Sequence, residues 1–189
     1  MTDLKKYASD AEVTESKIDS VIVNEDFLLD ILCVMINAGN ILDQIKKHVY
    51  YGNEYDLDDI KARSALLTRA GEELNKYAHE DAVATNEIAL GVDPRVFHAI
   101  VGIATESTEL LEALDLSGRP MDRVNIGEEF ADIDWYKAIG VNALELNWDT
   151  LLKTNIKKLR NRYKDKFDAH EAKIRDLGKE REILETMED

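Results

Sequence analysis

Proline and glycine are scarce in this chain, and that scarcity limits the folds that it can adopt. Its 189 residues contain only 2 prolines and 9 glycines. A β-sandwich or β-barrel of this length needs more turn residues. The abundant Ala, Leu, Glu and Lys favour helices instead. Because 44% of the residues are hydrophobic, the chain can also form a packed core. We therefore predict an all-α fold.

A strong negative charge restricts the partners of this protein. The chain has 39 acidic and 24 basic residues, for a net charge of −15 at pH 7. Such a surface repels phosphate backbones, so we expect no binding to duplex nucleic acid. A lone cysteine, Cys33, excludes a disulfide framework and indicates a reducing compartment. We find no signal-peptide core and no apolar run near the length of a membrane span, so we expect a cytoplasmic protein without a membrane partner.

Capping residues and the spacing of apolar positions divide the chain into four parts. We predict a polar, partly ordered lead-in over 1–23, a helical hairpin over 24–84, a further helical region over 85–167 and a charged helical tail over 168–189. Asn24 and Asn147 are typical of helix caps, Gly52 is typical of a helix end, and Asn125 with Glu128 resembles a capping box that opens a helix. Asp93 followed by Pro94 is a strong signal for the start of another helix.

The chain contains a faint internal repeat, in which 38–60 is similar to 105–126. The alignment places uncharged or basic residues of the first copy opposite four acidic residues of the second: Asn37 opposite Glu106, Asn40 opposite Glu109, Arg63 opposite Glu129 and Leu66 opposite Asp132. If the repeat is genuine, the first copy has lost its carboxylates and serves as structural cover. The alternative is a pair of unrelated helical hairpins.

Two acidic pairs with matched spacing are the main functional signal. Glu106 and Glu109 lie on one predicted helix, and Glu129 and Asp132 on the next. Residues three apart share a helix face, so two antiparallel helices would turn all four carboxylates into one space. Their mutual repulsion favours a hard divalent cation such as Mg²⁺, which prefers oxygen ligands. Solvated surface residues are the alternative interpretation.

A basic segment follows the acidic pairs. Seven of the 24 basic residues lie between Lys153 and Lys166. Asn155, Lys158 and Arg162 share one helix face by their spacing. Beside a metal site, such cations would neutralise phosphate charge that the metal does not reach. A solvated amphipathic face is the alternative.

These motifs together resemble the MazG-like family of all-α nucleoside triphosphate pyrophosphohydrolases, which includes dimeric dUTPases and dCTP pyrophosphatases. The similar segments are FHAIVGIATESTELLEAL, NIGEEFADIDWY and NIKKLRNRY. One departure is the stretch Glu106-Ser107-Thr108-Glu109, where the family usually has Glu-Ala-Gly-Glu. The resemblance implies a four-helix-bundle-type MazG-like fold with 85–167 as its catalytic region, and a homo-oligomer, either a dimer or a tetramer. The internal repeat makes 24–84 a candidate for a degenerate copy.

The resemblance also implies an activity, the hydrolysis of a nucleoside triphosphate to the monophosphate and pyrophosphate with Mg²⁺, or with Mn²⁺ in its place. The residues implied to hold the metal and act in catalysis are Glu106, Glu109, Glu129 and Asp132. Glu112 is a further candidate for orienting the water. The residues implied to bind substrate are His98, Tyr136, Asn155, Lys158, Arg162 and Tyr163. Two other functions stay open, a non-catalytic helical interaction module and the same fold acting on a phosphoribosyl nucleotide.

Overall fold

Helices make up most of the chain, as the computed structural model shows for residues 3–78, 86–114, 117, 120–164 and 166–186. The helices are α1 (Leu4–Thr14), α2 (Glu25–Tyr51), α3 (Leu57–Leu74), α4 (Pro94–Glu112), α5 (Arg123–Ala143), α6 (Trp148–Tyr163), α7 (Ala169–Lys173) and α8 (Leu177–Glu185). A 3₁₀ turn, Asn75–Tyr77, follows α3. Strands β1 (Ile22–Asn24) and β2 (Glu87–Ala89) pair antiparallel, with Val23 opposite Ile88. The predicted helical class is confirmed, and the small sheet was not predicted.

Polar side chains cap the helices where the chain enters them. Asn24 and Asp93 cap α2 and α4 as predicted, since each side chain accepts a backbone N–H of the first turn. Asn147 caps α6, also as predicted, by accepting the N–H of Thr150. The capping box expected at Asn125 and Glu128 is wrong, because Asp122 caps α5 instead and the helix begins three residues earlier in the chain than that box implies.

The chain divides into two compact units. The first contains the described residues of Met1–Val21, Gly91–Asn155 and Glu185–Asp189, and the second those of Ile22–Leu90 and Ile156–Leu184. The catalytic region predicted over 85–167 therefore contributes to both units, because α6 passes from the first unit into the second within the helix.

The first unit is a hairpin of α4 and α5, with α1 packed on α5. The lead-in predicted over 1–23 is therefore better ordered than expected. Its helix buries Ala8 and Ala11, whose small side chains allow close packing but give no large apolar periodicity in the sequence. The core cluster consists of Ala8, Ala11, Ala138, Val141 and Trp148. Among the described residues, Ile139 is the largest side chain that is fully buried.

The second unit is a hairpin of α2 and α3, with α7 against α2. Gly52 ends α2 as predicted, in the left-handed conformation at φ 64°, which glycine adopts without steric strain. The charged tail predicted over 168–189 contains two short helices among its described residues, α7 and α8.

Helix α2 is unusually apolar for its length. An 18-residue window in it has a mean hydropathy of 1.4, so by length and composition alone α2 could cross a membrane. We predicted that no apolar segment approaches the length of a membrane span, and by length and mean hydropathy that prediction is wrong. A single helix of this kind does not distinguish a membrane span from a helix that packs against other protein.

Candidate metal centre

Three carboxylates converge in the first unit, on the facing sides of α4 and α5. One oxygen each from Glu106, Glu129 and Asp132 lies within 4.8 Å of the other two. Glu129 is buried, Glu106 is half-buried and Asp132 is exposed, so the cluster reaches from the helix interface to the surface. We call these three residues the acidic cluster.

The fourth predicted ligand, Glu109, is not part of the acidic cluster. Its side chain is exposed on α4, one turn from Glu106. Burial raises the pKa of Glu106, and the negative charge of Glu109, a hydrogen bond with Glu129 and the charge of Asp132 raise it further. These negative charges repel one another at the site, and a bound cation would relieve that repulsion.

Tyr136 forms an aromatic wall beside the acidic cluster. Its ring lies against Gly102 of α4, where a Cβ atom would overlap the ring. Burial raises the pKa of the Tyr136 hydroxyl, and the charges of Glu106, Asp132 and Glu109 raise it further. The His98 ring lies edge-on to Tyr136, with 5.3 Å between ring centroids. The structure thus brings together two of the predicted substrate-binding residues.

Gly102→Ala should disturb this wall. The added methyl group would displace the Tyr136 ring, and such overpacking typically destabilises a fold by about 1–3 kcal/mol. Gly127→Ala on α5 is the matched control, because a Cβ there meets nothing within 4 Å. Urea unfolding should show a loss for Gly102→Ala and none for Gly127→Ala. Equal stability of the two variants would contradict the close contact.

An apolar cavity of about 240 Å³ lies beside His98. Its lining residues are Ser16, Ile18, Val21, Pro94, Arg95, Phe97, His98 and Val101. Arg95 is held there by Glu15, whose fully buried carboxylate accepts its Nε and Nη2 hydrogens at 2.8 and 2.7 Å. Sequence reasoning missed Glu15, because its partner lies 80 residues away and no local pattern links the two.

The remaining predicted substrate-binding residues lie on α6. Asn155 is exposed in the first unit, whereas Lys158, Arg162 and Tyr163 belong to the second. Arg162 donates from Nε and Nη2 to the two carboxylate oxygens of Glu180, both at 2.7 Å. The guanidinium predicted to bind phosphate is therefore already engaged by a buried carboxylate of α8. Glu180 gave no signal in the sequence, since it stands in a charged segment like its exposed neighbours.

The second unit holds the positions that the repeat aligns with the acidic cluster. Asn37, aligned with Glu106, is buried and accepts a hydrogen bond from Nη1 of Arg63 at 3.2 Å. Arg63, aligned with Glu129, also pairs with Asp59 at 2.7 Å. The guanidinium of Arg63 thus occupies the aligned position that holds the Glu129 carboxylate in the second copy. The Arg63 charge is compensated within the chain by Asp59.

Helix starts also agree with the repeat alignment. When the first copy is shifted along the sequence so that Asn37 aligns with Glu106, the helix cap Asn24 also aligns with the helix cap Asp93. After the gap in the alignment the sequence offset is slightly smaller. The offset that aligns Arg63 with Glu129 also aligns the helix cap Asp56 with the helix cap Asp122. These matches favour a duplicated hairpin over two unrelated ones.

Comparisons of the chain with protein-family models, with curated proteins and with solved structures find no match. Fold alone does not determine function. The functional argument therefore depends on the residues of the acidic cluster and its surroundings.

Proposed function

We propose that this protein is a Mg²⁺-dependent nucleoside triphosphate pyrophosphohydrolase, with Mn²⁺ as the alternative metal. The observation that carries the proposal is the convergence of Glu106, Glu129 and Asp132 from two helices. An all-oxygen, all-anionic donor set suits a hard divalent cation. The burial of Glu129 beside another carboxylate supports the same conclusion, because buried charge requires compensation.

The proposed reaction releases pyrophosphate after water attacks the α-phosphorus. When bound, Mg²⁺ neutralises phosphate charge and lowers the pKa of a coordinated water. Glu109 is exposed beside the acidic cluster, so its carboxylate can accept a proton from the attacking water, and Glu112 one turn further on helps to orient that water. In this proposal the Tyr136 hydroxyl contacts the sugar or the base, and His98 contacts the base. Substrate binding by Asn155, Lys158, Arg162 and Tyr163 stays a prediction.

Mg²⁺ should stabilise the protein, and nucleotide hydrolysis should give only one pair of products. At a metal concentration of 100 times Kd, binding adds about 2.7 kcal/mol to the free energy of unfolding. We expect a rise in Tm that EDTA reverses.

The products of hydrolysis are a separate test. Chromatography should show monophosphate and pyrophosphate. Release of diphosphate and orthophosphate would mean that a different bond is broken.

A non-catalytic interaction module is the second candidate, and the many exposed apolar side chains favour it. A module of this kind predicts no Mg²⁺-dependent rise in Tm and no turnover of any nucleotide. The third possibility is that the same fold acts on a phosphoribosyl nucleotide. Because the fold and the metal requirement would then be unchanged, a substrate panel that includes phosphoribosyl nucleotides is needed to distinguish it. We further propose a cytoplasmic location, which the lone Cys33 supports.

A further inference from the structure

A cavity of about 370 Å³ lies within the second unit, where the end of α2 meets the charged tail. Its walls come from α2 and the turn after it, and from α7 and the segment before α8. The lining residues are Lys47, Asn53, Glu54, Ala172, Lys173 and Arg175. Ligand sites in proteins commonly enclose about 300–1,000 Å³, so this volume suits a small ligand. We call it the tail cavity.

Contacts within the second unit hold the two walls of the tail cavity together. Helix α7 packs against α2. The rings of Tyr51 and Phe167 lie 5.6 Å apart between centroids, at the point where α2 ends and the tail approaches. Lys173 donates from Nζ to the carbonyl oxygen of Gly52 at 3.1 Å. The tail cavity is therefore part of one packed body.

The lining of the tail cavity is positive, although the chain as a whole carries a charge of −15. Three of its six residues are cationic and only Glu54 is acidic. The Lys47 ammonium pairs with Asp43 at 2.6 Å, but the same carboxylate also pairs with Lys46. One negative charge is thus shared between two lysines and compensates only one of them.

Arg175 is compensated in the same incomplete way. Its Nη2 pairs with Glu180 at 2.6 Å, and Glu180 also pairs with Arg162. The Lys173 ammonium donates to Gly52, whose carbonyl oxygen is neutral. The group therefore has five cationic and three acidic side chains, an excess of two positive charges: Lys46, Lys47, Arg162, Lys173 and Arg175 against Asp43, Glu54 and Glu180.

Two further carboxylates of the tail, Asp168 and Asp176, bind backbone groups. Asp168 caps α7 by accepting the N–H groups of His170 and Glu171. Asp176 accepts the N–H of Lys179 at the start of α8. Both side chains satisfy helix ends, as cap residues do.

We propose that the tail cavity binds a small oxyanion of the phosphate class, such as inorganic phosphate or pyrophosphate. Lys47, Lys173 and Arg175 supply charge-assisted hydrogen bonds to its oxygens, and the guanidinium matches the geometry of a phosphate edge. The Asn53 amide also lines the cavity, and its Oδ1 has no hydrogen-bond partner among the described residues. No such bond fixes that amide, so it can turn its N–H groups towards the anion. The proposal does not depend on the proposed enzymatic activity.

The charge distribution favours a free anion over a phosphate held on a large surface. An excess of positive charge inside a concave site attracts a small anion that enters it. A duplex or an anionic membrane must also approach the surrounding protein surface, and the charge of −15 repels it. Pyrophosphate is therefore the probe of choice.

Titration calorimetry tests the proposal on the full-length chain. Divalent cations are first removed on a chelating resin, so that the acidic cluster cannot contribute a metal-bound site. Wild type should bind pyrophosphate. Lys173→Gln and Lys47→Gln should each lower the affinity by about 10-fold or more, because each removes a charge-assisted hydrogen bond. Lys179→Gln is the matched control, since Lys179 is exposed on α8 and does not line the cavity. Circular dichroism checks that each variant is folded.

Two further measurements separate the tail cavity from other sources of binding. Asp132→Asn should bind pyrophosphate as wild type does, because Asp132 belongs to the acidic cluster of the first unit. Vesicles of phosphatidylserine and phosphatidylcholine should not co-sediment with the protein. Three results would overturn the proposal: no pyrophosphate binding by wild type, an equal loss of affinity in Lys179→Gln and Lys173→Gln, or binding to vesicles without binding of the free anion.

Discussion

Asp132→Asn is expected to abolish pyrophosphate release while leaving the helical content unchanged. The substitution keeps the size of the side chain and removes the negative charge that a divalent cation requires. Because Asp132 is exposed, the fold does not depend on its burial. Loss of residues that merely support metal ligands lowers affinity or activity by about 10–100-fold, so loss of a direct ligand should lower activity by more than about 100-fold.

Asp134→Asn is the matched control for this experiment. Asp134 lies on the same helix, is exposed, and pairs with Lys137 at 2.8 Å. It lies outside the acidic cluster, so its variant should retain activity and the Mg²⁺-dependent rise in Tm. Glu109→Gln should abolish turnover while retaining much of the Mg²⁺-dependent stabilisation, because Glu109 also lies outside the cluster. Full activity of Asp132→Asn would remove the metal assignment.

Local signals in the sequence were sufficient for the start and end of several helices. The caps Asn24, Asp93 and Asn147 satisfy backbone N–H groups of the adjoining turn, so the signal and the structure lie within a few residues of each other. Gly52 ends α2 for an equally local reason, the need for a positive φ. At α5 the prediction of Asn125 was wrong, because the cap is Asp122, three residues earlier in the chain.

Packing that depends on small residues was harder to predict. Helix α1 contacts α5 through Ala8 and Ala11, which bury little area and give only a weak periodic pattern. The two-stranded sheet joins segments that are distant in sequence, with Ile22 opposite Ala89. Long-range polar pairs such as Glu15 with Arg95 are equally hard to predict from the sequence, because only the folded chain brings the partners together.

The candidate site was predicted in part. Matched spacing on consecutive helices correctly indicated that Glu106, Glu129 and Asp132 come together. Glu109 differs because three residues along a helix correspond to about 300° of rotation and about 4.5 Å of rise. The two members of such a pair therefore approach a neighbouring helix to different extents, and a pair can contribute both members to a cluster, as Glu129 and Asp132 do, or only one, as Glu106 and Glu109 do. Which member is closer depends on how the helices cross, and spacing contains no information about that crossing.

Glu180→Gln is expected to destabilise the second unit strongly. The Glu180 side chain is 5% exposed and accepts hydrogen bonds from Arg162 and Arg175. Removing one partner of a buried ion pair typically costs about 3–5 kcal/mol, because the remaining charges lose their compensation. Glu182→Gln on the same helix is the control, since Glu182 is exposed. Urea unfolding at pH 7 should show the loss for Glu180→Gln alone.

The effect of Glu180→Gln should also depend on pH. Hydrogen bonds from Arg175 and Arg162 lower the pKa of Glu180 from 4.5 to about 2. A carboxyl group with a lowered pKa contributes stability above its unfolded-state pKa and loses that contribution as the pH falls through the folded-state value. A difference of this size corresponds to roughly 3 kcal/mol. The free energies of unfolding of wild type and variant should therefore differ by a constant amount above about pH 5 and converge towards about pH 2. A difference that does not change with pH would show that Glu180 stabilises the protein by packing, and that its charge is not what holds Arg162 and Arg175.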